Sequence, residues 1–267
     1  MTLPTNMMEI KHVILPLLKE FASIPSLTGH EEGMMSKVGE YFLPIYPFYD
    51  FYFLTRKNKP YCAYLASSTS PSKYVLVVHL DRVPNRDGEP YHTIPVDHGE
   101  YVQGQLDDSI GIAIAYYLMR YSGKPISVLF TTLEEIGESW YQIKDFVKLF
   151  SSSEQPVIPV GIDIDIFDTL PEQEGLISLR NEDQAGKMYL PEVNKFRTRA
   201  EDLSLPWTAT VGYSITEIGF VSSHTNEVIQ GVHVGLPLTH YHTNKECIQW
   251  GAIVNVIQLL TSIIKTS

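Results

Sequence analysis

The chain has 267 residues, of which 44% are hydrophobic, enough for a packed core in one large α/β domain or two small ones. Its formal net charge of -11 at pH 7 argues against nucleic-acid binding, because a phosphate-binding surface needs clustered Lys and Arg. No apolar stretch reaches the roughly 18 residues of a membrane helix, and the N-terminus lacks the basic and apolar segments of a signal peptide. With only Cys62 and Cys247 there is no disulfide framework. We therefore expect a cytoplasmic protein that binds neither nucleic acid nor membrane.

The predicted elements are mainly helices and buried strands in alternation. Apolar residues at helical spacing predict a helix over residues 7–21. Thr28 and Glu31 have the spacing of a capping box, which predicts a second helix to about Phe42. Near-continuous apolar runs further on predict strands buried on both faces of a sheet. In order, we expect strands at 49–54, 61–65 and 74–79, a helix at 109–121, a strand at 126–132, a helix at 141–150, a strand at 160–167, a helix at 193–203, strands at 211–220 and 232–238, and a helix at 247–265.

This alternation predicts the fold class. Strands that alternate with helices favour a three-layer α/β sandwich, with a mostly parallel central sheet and helices on both faces. The sequence contains no internal repeat and no low-complexity segment, and residues 151–153 form a short polar loop and not a linker. We therefore expect residues 1–267 to form a single domain.

Several polar residues follow the apolar runs at points where a strand ends or a helix begins. In open α/β sheets, active sites gather at the carboxyl ends of the strands, so we expect these residues to converge. Imidazole and carboxylate ligands suit two divalent metal ions, zinc first, with cobalt or manganese as alternatives. The residues are His79, Asp81, Asp107, Glu134, Glu135, Asp165 and His242.

The spacing of these residues along the chain suggests separate roles for some of them. Asp81 lies two residues after His79, so both side chains lie on the same side of an extended chain, and a carboxylate commonly orients a metal-bound imidazole. Asp107 has two oxygens with which it could bridge two metals. Glu134 and Glu135 are neighbours and must point differently, so one can bind metal while the other handles protons. Asp108 is favoured as a helix N-cap.

Six segments together resemble the co-catalytic dizinc exopeptidase superfamily, which includes the carboxypeptidase G and acetylornithine deacetylase family and the glutamyl and deblocking aminopeptidase family. They occur in the family's order and span nearly the whole chain. The segments are FASIPSLTGHEE (21–32), VLVVHLDRVP (75–84), YVQGQLDDSIGIA (101–113), TTLEEIGE (131–138), VGIDID (160–165) and VGLPLTHYHTNKE (234–246).

The resemblance implies a role for each of the polar residues. Glu134 resembles the general base, and Asp81 resembles the partner that orients a metal-binding histidine. The implied metal ligands are Asp107 as the bridge, His79 and Asp165 at one zinc, and Glu135 and His242 at the other.

Two of these ligands have rivals on the same strand face. Asp163 competes with Asp165, and we favour Asp165 because Gly161-Ile162-x-x-Asp165 resembles the family's G-I-x-x-D strand. His240 competes with His242, and we favour His242 because the segment from His242 to Glu246 matches the family's H-[ST]-x-x-E.

The resemblance implies a zinc-dependent exopeptidase, with an aminopeptidase as the first hypothesis. Such an enzyme hydrolyses an amide bond of a small peptide with a hydroxide shared by two metals. The alternatives are a deacylase or carboxypeptidase that acts on an acyl amino acid or peptide, and a catalytically inactive binding protein. An aminopeptidase should present a carboxylate to the substrate ammonium, for which Glu217 is a candidate. A deacylase or carboxypeptidase should present an arginine, for which Arg82 and Arg86 are candidates.

Relatives carry inserted domains that this chain has little room for. Only 25 residues (82–106) separate Asp81 from Asp107, and 76 (166–241) separate Asp165 from His242. The longer interval also contains predicted core elements, and too few residues remain for a second apolar core. We therefore expect the catalytic domain alone, with an open cleft and without a lid or β-domain insertion.

Overall fold

The computed structural model describes residues 6–45, 64–66, 72–84, 94–152, 156–180, 192–209, 218 and 231–266. Most of the predicted elements within these ranges are present. The helices are α1 (Met7–Ala22), α2 (Glu32–Phe42), α3 (Ser109–Tyr121), α4 (Trp140–Phe150), α5 (Val193–Asp202) and α6 (Trp250–Lys265). The strands are β1 (Tyr64–Ala66), β2 (Tyr74–His79), β3 (Val96–Asp97), β4 (Tyr101–Gly104), β5 (Ser127–Thr131), β6 (Ile158–Ile166), β7 (Ile177–Arg180), β8 (Trp207–Thr208), β9 (Val232–Thr239) and β10 (Glu246–Gln249).

A largely parallel sheet forms the centre of the molecule, as the sequence predicts. The strand order is β1-β5-β2-β6-β9-β10-β4-β3, and β5, β2, β6 and β9 run parallel to one another. The outer strands β1, β10, β4 and β3 pair antiparallel with their neighbours, and β7 pairs with β8 and β9 off this path. Because the four parallel strands point the same way, their carboxyl ends lie along one edge.

Helices cover both faces of the sheet, which confirms the predicted three-layer sandwich. Alternate residues of β2 show this, because strand side chains point to opposite faces in turn. Val75 and Val77 pack with Trp140, Ile143 and Phe146 of α4. Leu76 and Val78 belong to the larger core cluster, to which α1, α2, α3, α5 and α6 contribute. The continuous apolar sequence of β2 therefore follows from burial on both sides.

Two predicted local features differ in the structure. The helix expected at 247–265 begins only at Trp250, because residues 246–249 form β10 between β9 and β4. The predicted capping box is also wrong. Glu31 is the N-cap residue of α2 but makes no side-chain cap bond, and the Thr28 hydroxyl donates instead to Asp81 Oδ2 at 3.1 Å. The Thr28 hydroxyl therefore bonds to a carboxylate distant in sequence and does not cap the helix.

Some predictions fall on residues outside the described ranges. They include the strand at 49–54 and all of 211–220 except Ile218. The single domain without a lid stays a prediction, because parts of the interval between Asp165 and His242 are not described. Within the described ranges, no helix combines the length and apolar character needed to cross a membrane.

Candidate metal centre

Most of the predicted site residues meet at the carboxyl-terminal edge of the parallel strands. His79 is the last residue of β2, and the glutamate pair follows the end of β5. Asp107 lies in the loop between β4 and α3, and His242 lies in the turn between β9 and β10. Potential ligand atoms lie within 4.8 Å of one another in three groups, which are His79–Asp107–Asp163, Asp107–Glu135–His242 and His79–Glu134–Glu135.

Asp107 occupies the middle of this arrangement. Its Oδ1 lies 3.0 Å from Nε2 of His79, and its Oδ2 lies 3.7 Å from Nε2 of His242. Beyond these imidazoles, Asp163 Oδ1 is 3.8 Å from His79 Nε2, and Glu135 Oε2 is 3.2 Å from His242 Nε2. One carboxylate therefore faces two separate ligand groups with its two oxygens, which is the arrangement that a bridging ligand requires.

The electrostatics of the site favour a cation between these groups. Burial by itself lowers the pKa of His242, but the carboxylates of Asp107 and Glu135 outweigh it and raise this pKa to about 10. Burial also opposes protonation of His79, and the neighbouring acids still raise its pKa well above the usual value. The pKa of Glu135 is raised by burial and by the charge of Asp107. Buried carboxylates thus outnumber the imidazoles that can neutralise them, and this donor set fits two divalent ions.

The preference for Asp165 as a ligand does not agree with the structure, which brings Asp163 to the cluster instead. The register of the sheet explains this, because Val77 pairs with Gly161, so His79 lies level with Asp163. Asp165 lies two residues further along β6, past the end of β2.

Asp165 is part of a different, fully buried cluster of charged and polar groups. Its Oδ1 accepts from Arg180 Nη2 at 2.7 Å, and its Oδ2 lies 3.2 Å from His233 Nε2. Burial alone would raise the pKa of Asp165, but Arg180 and His233 lower it to about 2. This carboxylate is therefore neutralised by the Arg180 guanidinium, and Asp163 is the better candidate ligand.

Of the two competing histidines, His242 lies in the cluster and His240 does not belong to any of the three groups found among the described residues. His240 is exposed, and its carbonyl oxygen accepts from Thr243 Oγ1 at 2.6 Å. Both histidines have left-handed backbone conformations, with φ of 57° and 60°. Non-glycine residues seldom adopt this conformation, so the turn must be held by its surroundings.

Asp81 organises the backbone of the glutamate pair. It is fully buried, and its carboxylate accepts from the N–H of Glu134 at 3.0 Å and from the N–H of Glu135 at 3.2 Å. Its main-chain oxygen lies 3.0 Å from Nδ1 of His79, whereas its Oδ1 lies 3.7 Å away. The predicted partnership with His79 is therefore made chiefly through the backbone, while the carboxylate acts on the glutamates.

Two further residues support the site. Thr28, which the sequence pattern places in a capping box, donates to Asp81 instead. Glu246 is buried, accepts from three backbone N–H groups around Asp107 and His242, and ends the H-T-x-x-E motif. Burial and the charge of Asp107 raise the pKa of Glu246 to about 8.

Arg82 binds other parts of the protein and is not placed to bind a substrate carboxylate, contrary to expectation. Its guanidinium is buried and donates to the carbonyl oxygens of Phe21 at 3.2 Å and Ala22 at 3.3 Å, and also to Ser109 Oγ. It therefore binds the carboxyl end of α1, where a cation is favoured by the helix dipole. The other proposed substrate-binding residues, Arg86 and Glu217, lie outside the described residues.

Comparison with known proteins identifies the fold. No family model and no curated protein matches the sequence. Aminopeptidase APDkam598 from the archaeon Desulfurococcus kamchatkensis is similar in structure, with a TM-score of 0.76, 11% identity and 96% of each chain covered. The TET1 peptidase of Pyrococcus horikoshii gives a TM-score of 0.69 at 13% identity, covering 94% of this chain and 99% of that one.

A tripeptidase from Staphylococcus aureus gives a TM-score of 0.68 at 13% identity, with 98% of each chain covered. The likeness therefore extends over almost the entire length of all three peptidases. Identities this low establish the fold alone, so the chain has the α/β fold of these peptidases.

Proposed function

We propose that the chain is a metal-dependent exopeptidase with a two-metal centre, and that it acts as an aminopeptidase on small peptides. The observation that carries this proposal is the position of Asp107, whose two carboxylate oxygens face two different imidazoles at 3.0 and 3.7 Å. The peptidase fold of the structural neighbours supports the same reading.

The ligands divide into two sets that share Asp107. His79 and Asp163 would hold one ion, and Glu135 and His242 would hold the other. Zinc is the ion we propose first, since imidazole and carboxylate ligands suit it, although cobalt and manganese accept the same donors. Two ions in these positions would polarise the scissile carbonyl and make water a nucleophile at neutral pH.

Glu134 is the residue we propose for proton transfer. Its neighbour Glu135 contacts His242 at 3.2 Å and lies in the group formed with Asp107, whereas Glu134 is absent from that group. The hydrogen bond from the Glu134 backbone N–H to Asp81 fixes the start of its side chain. A carboxylate held there can take a proton from the attacking water and later deliver it to the leaving amine.

The burial of Arg82 removes one of the two arginines proposed to bind a substrate carboxylate. An enzyme that selects a substrate carboxylate needs a cationic side chain at its site, and Arg82 is instead buried against the end of α1. Arg86, the other candidate, lies outside the described residues. We further propose that the chain works as one catalytic domain in the cytoplasm.

The test is a substrate panel with defined metals. Aminoacyl chromogenic amides, short peptides and N-acetyl amino acids are offered to protein loaded with zinc, cobalt or manganese, beside Glu134→Gln to exclude contaminating peptidases. We expect metal-dependent release of the N-terminal residue from amides and peptides. Cleavage of only the N-acetyl amino acids would make the deacylase alternative correct, and no turnover with any metal would overturn the enzymatic proposal.

A further inference from the structure

We infer that Glu246 is a positioning residue that fixes the bridging aspartate and the histidine of the second metal relative to each other. This inference rests on the proposed metal centre, because it assigns Glu246 a part in setting the affinity of that centre. Glu246 touches neither substrate nor metal in this assignment and acts through Asp107 and His242.

The contacts of Glu246 join the two segments that carry these ligands. Its Oε2 accepts from the backbone N–H of Leu106 at 2.6 Å and of Asp107 at 3.1 Å. Its Oε1 accepts from the backbone N–H of His242 at 2.7 Å. A single carboxylate, only 1% exposed, thus holds the main chain at both ligands.

The strand pairing explains why this position can reach both segments. Glu246 is the first residue of β10 and lies opposite Gly104, the last residue of β4, so its side chain meets the loop that leads to Asp107. The same strand pairs with β9 on its other side, through Cys247 and Thr239. The turn that contains His242 connects these two strands, and Glu246 lies where that turn ends.

The backbone at His242 depends on support of this kind. Its φ of 60° is in the left-handed region, which an L-residue other than glycine leaves readily unless other contacts hold it. The bond from its N–H to Oε1 of Glu246 supplies such a contact. Asp81 acts similarly on the glutamate pair, so two buried carboxylates hold the main chain at residues of the site.

The decisive variant is Glu246→Gln, which keeps the size of the side chain but replaces one acceptor oxygen with an NH2 group. At least one of the three backbone N–H groups then loses its acceptor. Removing a group that orients a metal ligand typically lowers metal affinity by about 10–100-fold. We expect a fall of that size at both sites, because Asp107 belongs to both, together with an altered visible absorption spectrum of the cobalt-loaded protein.

The control is Asp97→Asn, which removes a carboxylate of similar connectivity away from the site. Asp97 accepts from Gly99 N–H, from Trp250 Nε1–H and from the Lys11 ammonium group, and so ties β3 to α6 and α1. This variant should lower thermal stability while leaving metal affinity and the cobalt spectrum unchanged. A second variant, Glu246→Asp, keeps the carboxyl group but is too short to span both segments, and we expect an intermediate loss of affinity.

Calorimetric titration of metal into each apo variant separates the outcomes. If the wild-type protein binds two metals and Glu246→Gln binds them equally tightly with the same cobalt spectrum, the positioning role is refuted and the metal centre stands. If the wild-type protein binds no metal, both proposals fall together. If neither Glu246 variant folds, Glu246 serves the fold as a whole and the assignment to the ligands is wrong.

Discussion

Asp163 and Asp165 lie two residues apart on the same strand and the same face, yet the structure gives them opposite surroundings. Asp163 faces His79 at 3.8 Å among other carboxylates. Asp165 accepts from the Arg180 guanidinium at 2.7 Å and contacts His233. Asp163 is surrounded by an excess of negative charge, whereas Asp165 is paired with the Arg180 guanidinium.

The difference teaches that the neighbouring charges, and not the residue type, decide whether a buried acid is available to a metal. A carboxylate already paired with a buried arginine would have to give up that partner, and leaving the arginine uncompensated is costly. A carboxylate among other acids gains from any cation that enters. The charge of the neighbouring groups therefore distinguishes the acids of the candidate metal centre from Asp165.

The largest effect on turnover is expected for Glu134, the residue that we propose for proton transfer. Glu134→Gln removes the general base and should lower turnover by about 100- to 10,000-fold, while both metals remain bound. Glu135→Gln should instead weaken metal binding, because Glu135 contacts His242. Steady-state kinetics and metal titration on both variants make the comparison. The opposite pattern would exchange the two roles.

A reciprocal pair of substitutions tests the contrast between the two aspartates directly. Asp165→Asn leaves Arg180 without its charged partner and should cost about 3–5 kcal/mol of unfolding free energy. Asp163→Asn should leave the stability of the metal-free protein nearly unchanged but severely weaken one metal site. Urea unfolding and calorimetry measure the two quantities. Loss of metal from Asp165→Asn, with retention by Asp163→Asn, would restore the sequence-based assignment.

The acid dependence of stability should come partly from Asp165. Arg180 and His233 outweigh burial and hold its pKa in the folded chain at about 2, below the value of about 3.9 in an unfolded chain. A lowered pKa means that the stabilisation is present above about pH 4 and is lost as pH falls toward 2. At roughly 1.4 kcal/mol per pH unit, the contribution is about 3 kcal/mol. The difference in unfolding free energy between wild type and Asp165→Asn should therefore shrink on acidification, and a constant difference would contradict this origin.

The smallest effect is expected for the hydrogen bond between the Thr28 hydroxyl and the Asp81 carboxylate. Thr28→Val removes the 3.1 Å hydrogen bond to Asp81 and should lower stability by about 1 kcal/mol, with little change in metal affinity. Thr28→Ser keeps the hydroxyl and serves as the matched control. A loss of stability in Thr28→Ser with none in Thr28→Val would show that the methyl group matters rather than the hydrogen bond.

Sequence alone predicts the elements whose pattern is both long and unambiguous. The apolar runs of β2, β6 and β9 fit strands buried on both faces, and Asp108 caps α3 by accepting from Gly111 N–H at 2.8 Å. The sequence does not distinguish strand β10 from the following helix, because the four residues of the strand are too few to display a period. This error in the start of the last helix is local and leaves the architecture unchanged.

The choice between Asp163 and Asp165 could not be made from the sequence. Their spacing of two places both on one face, and only the pairing of Val77 with Gly161 brings Asp163 level with His79. Register between strands distant in sequence is a property of the assembled sheet. Arg82 fits the same explanation, since the carbonyl groups that bind it become neighbours only when α1 packs beside the end of β2.

The most direct test of the central claim is a crystal structure of the zinc-loaded protein with anomalous scattering recorded at the zinc edge. The account predicts two ions roughly 3.5–4 Å apart with Asp107 between them. One ion should contact His79 and Asp163, and the other should contact Glu135 and His242. A single ion, or two ions that leave Asp107 unbound or that use Asp165, would contradict it.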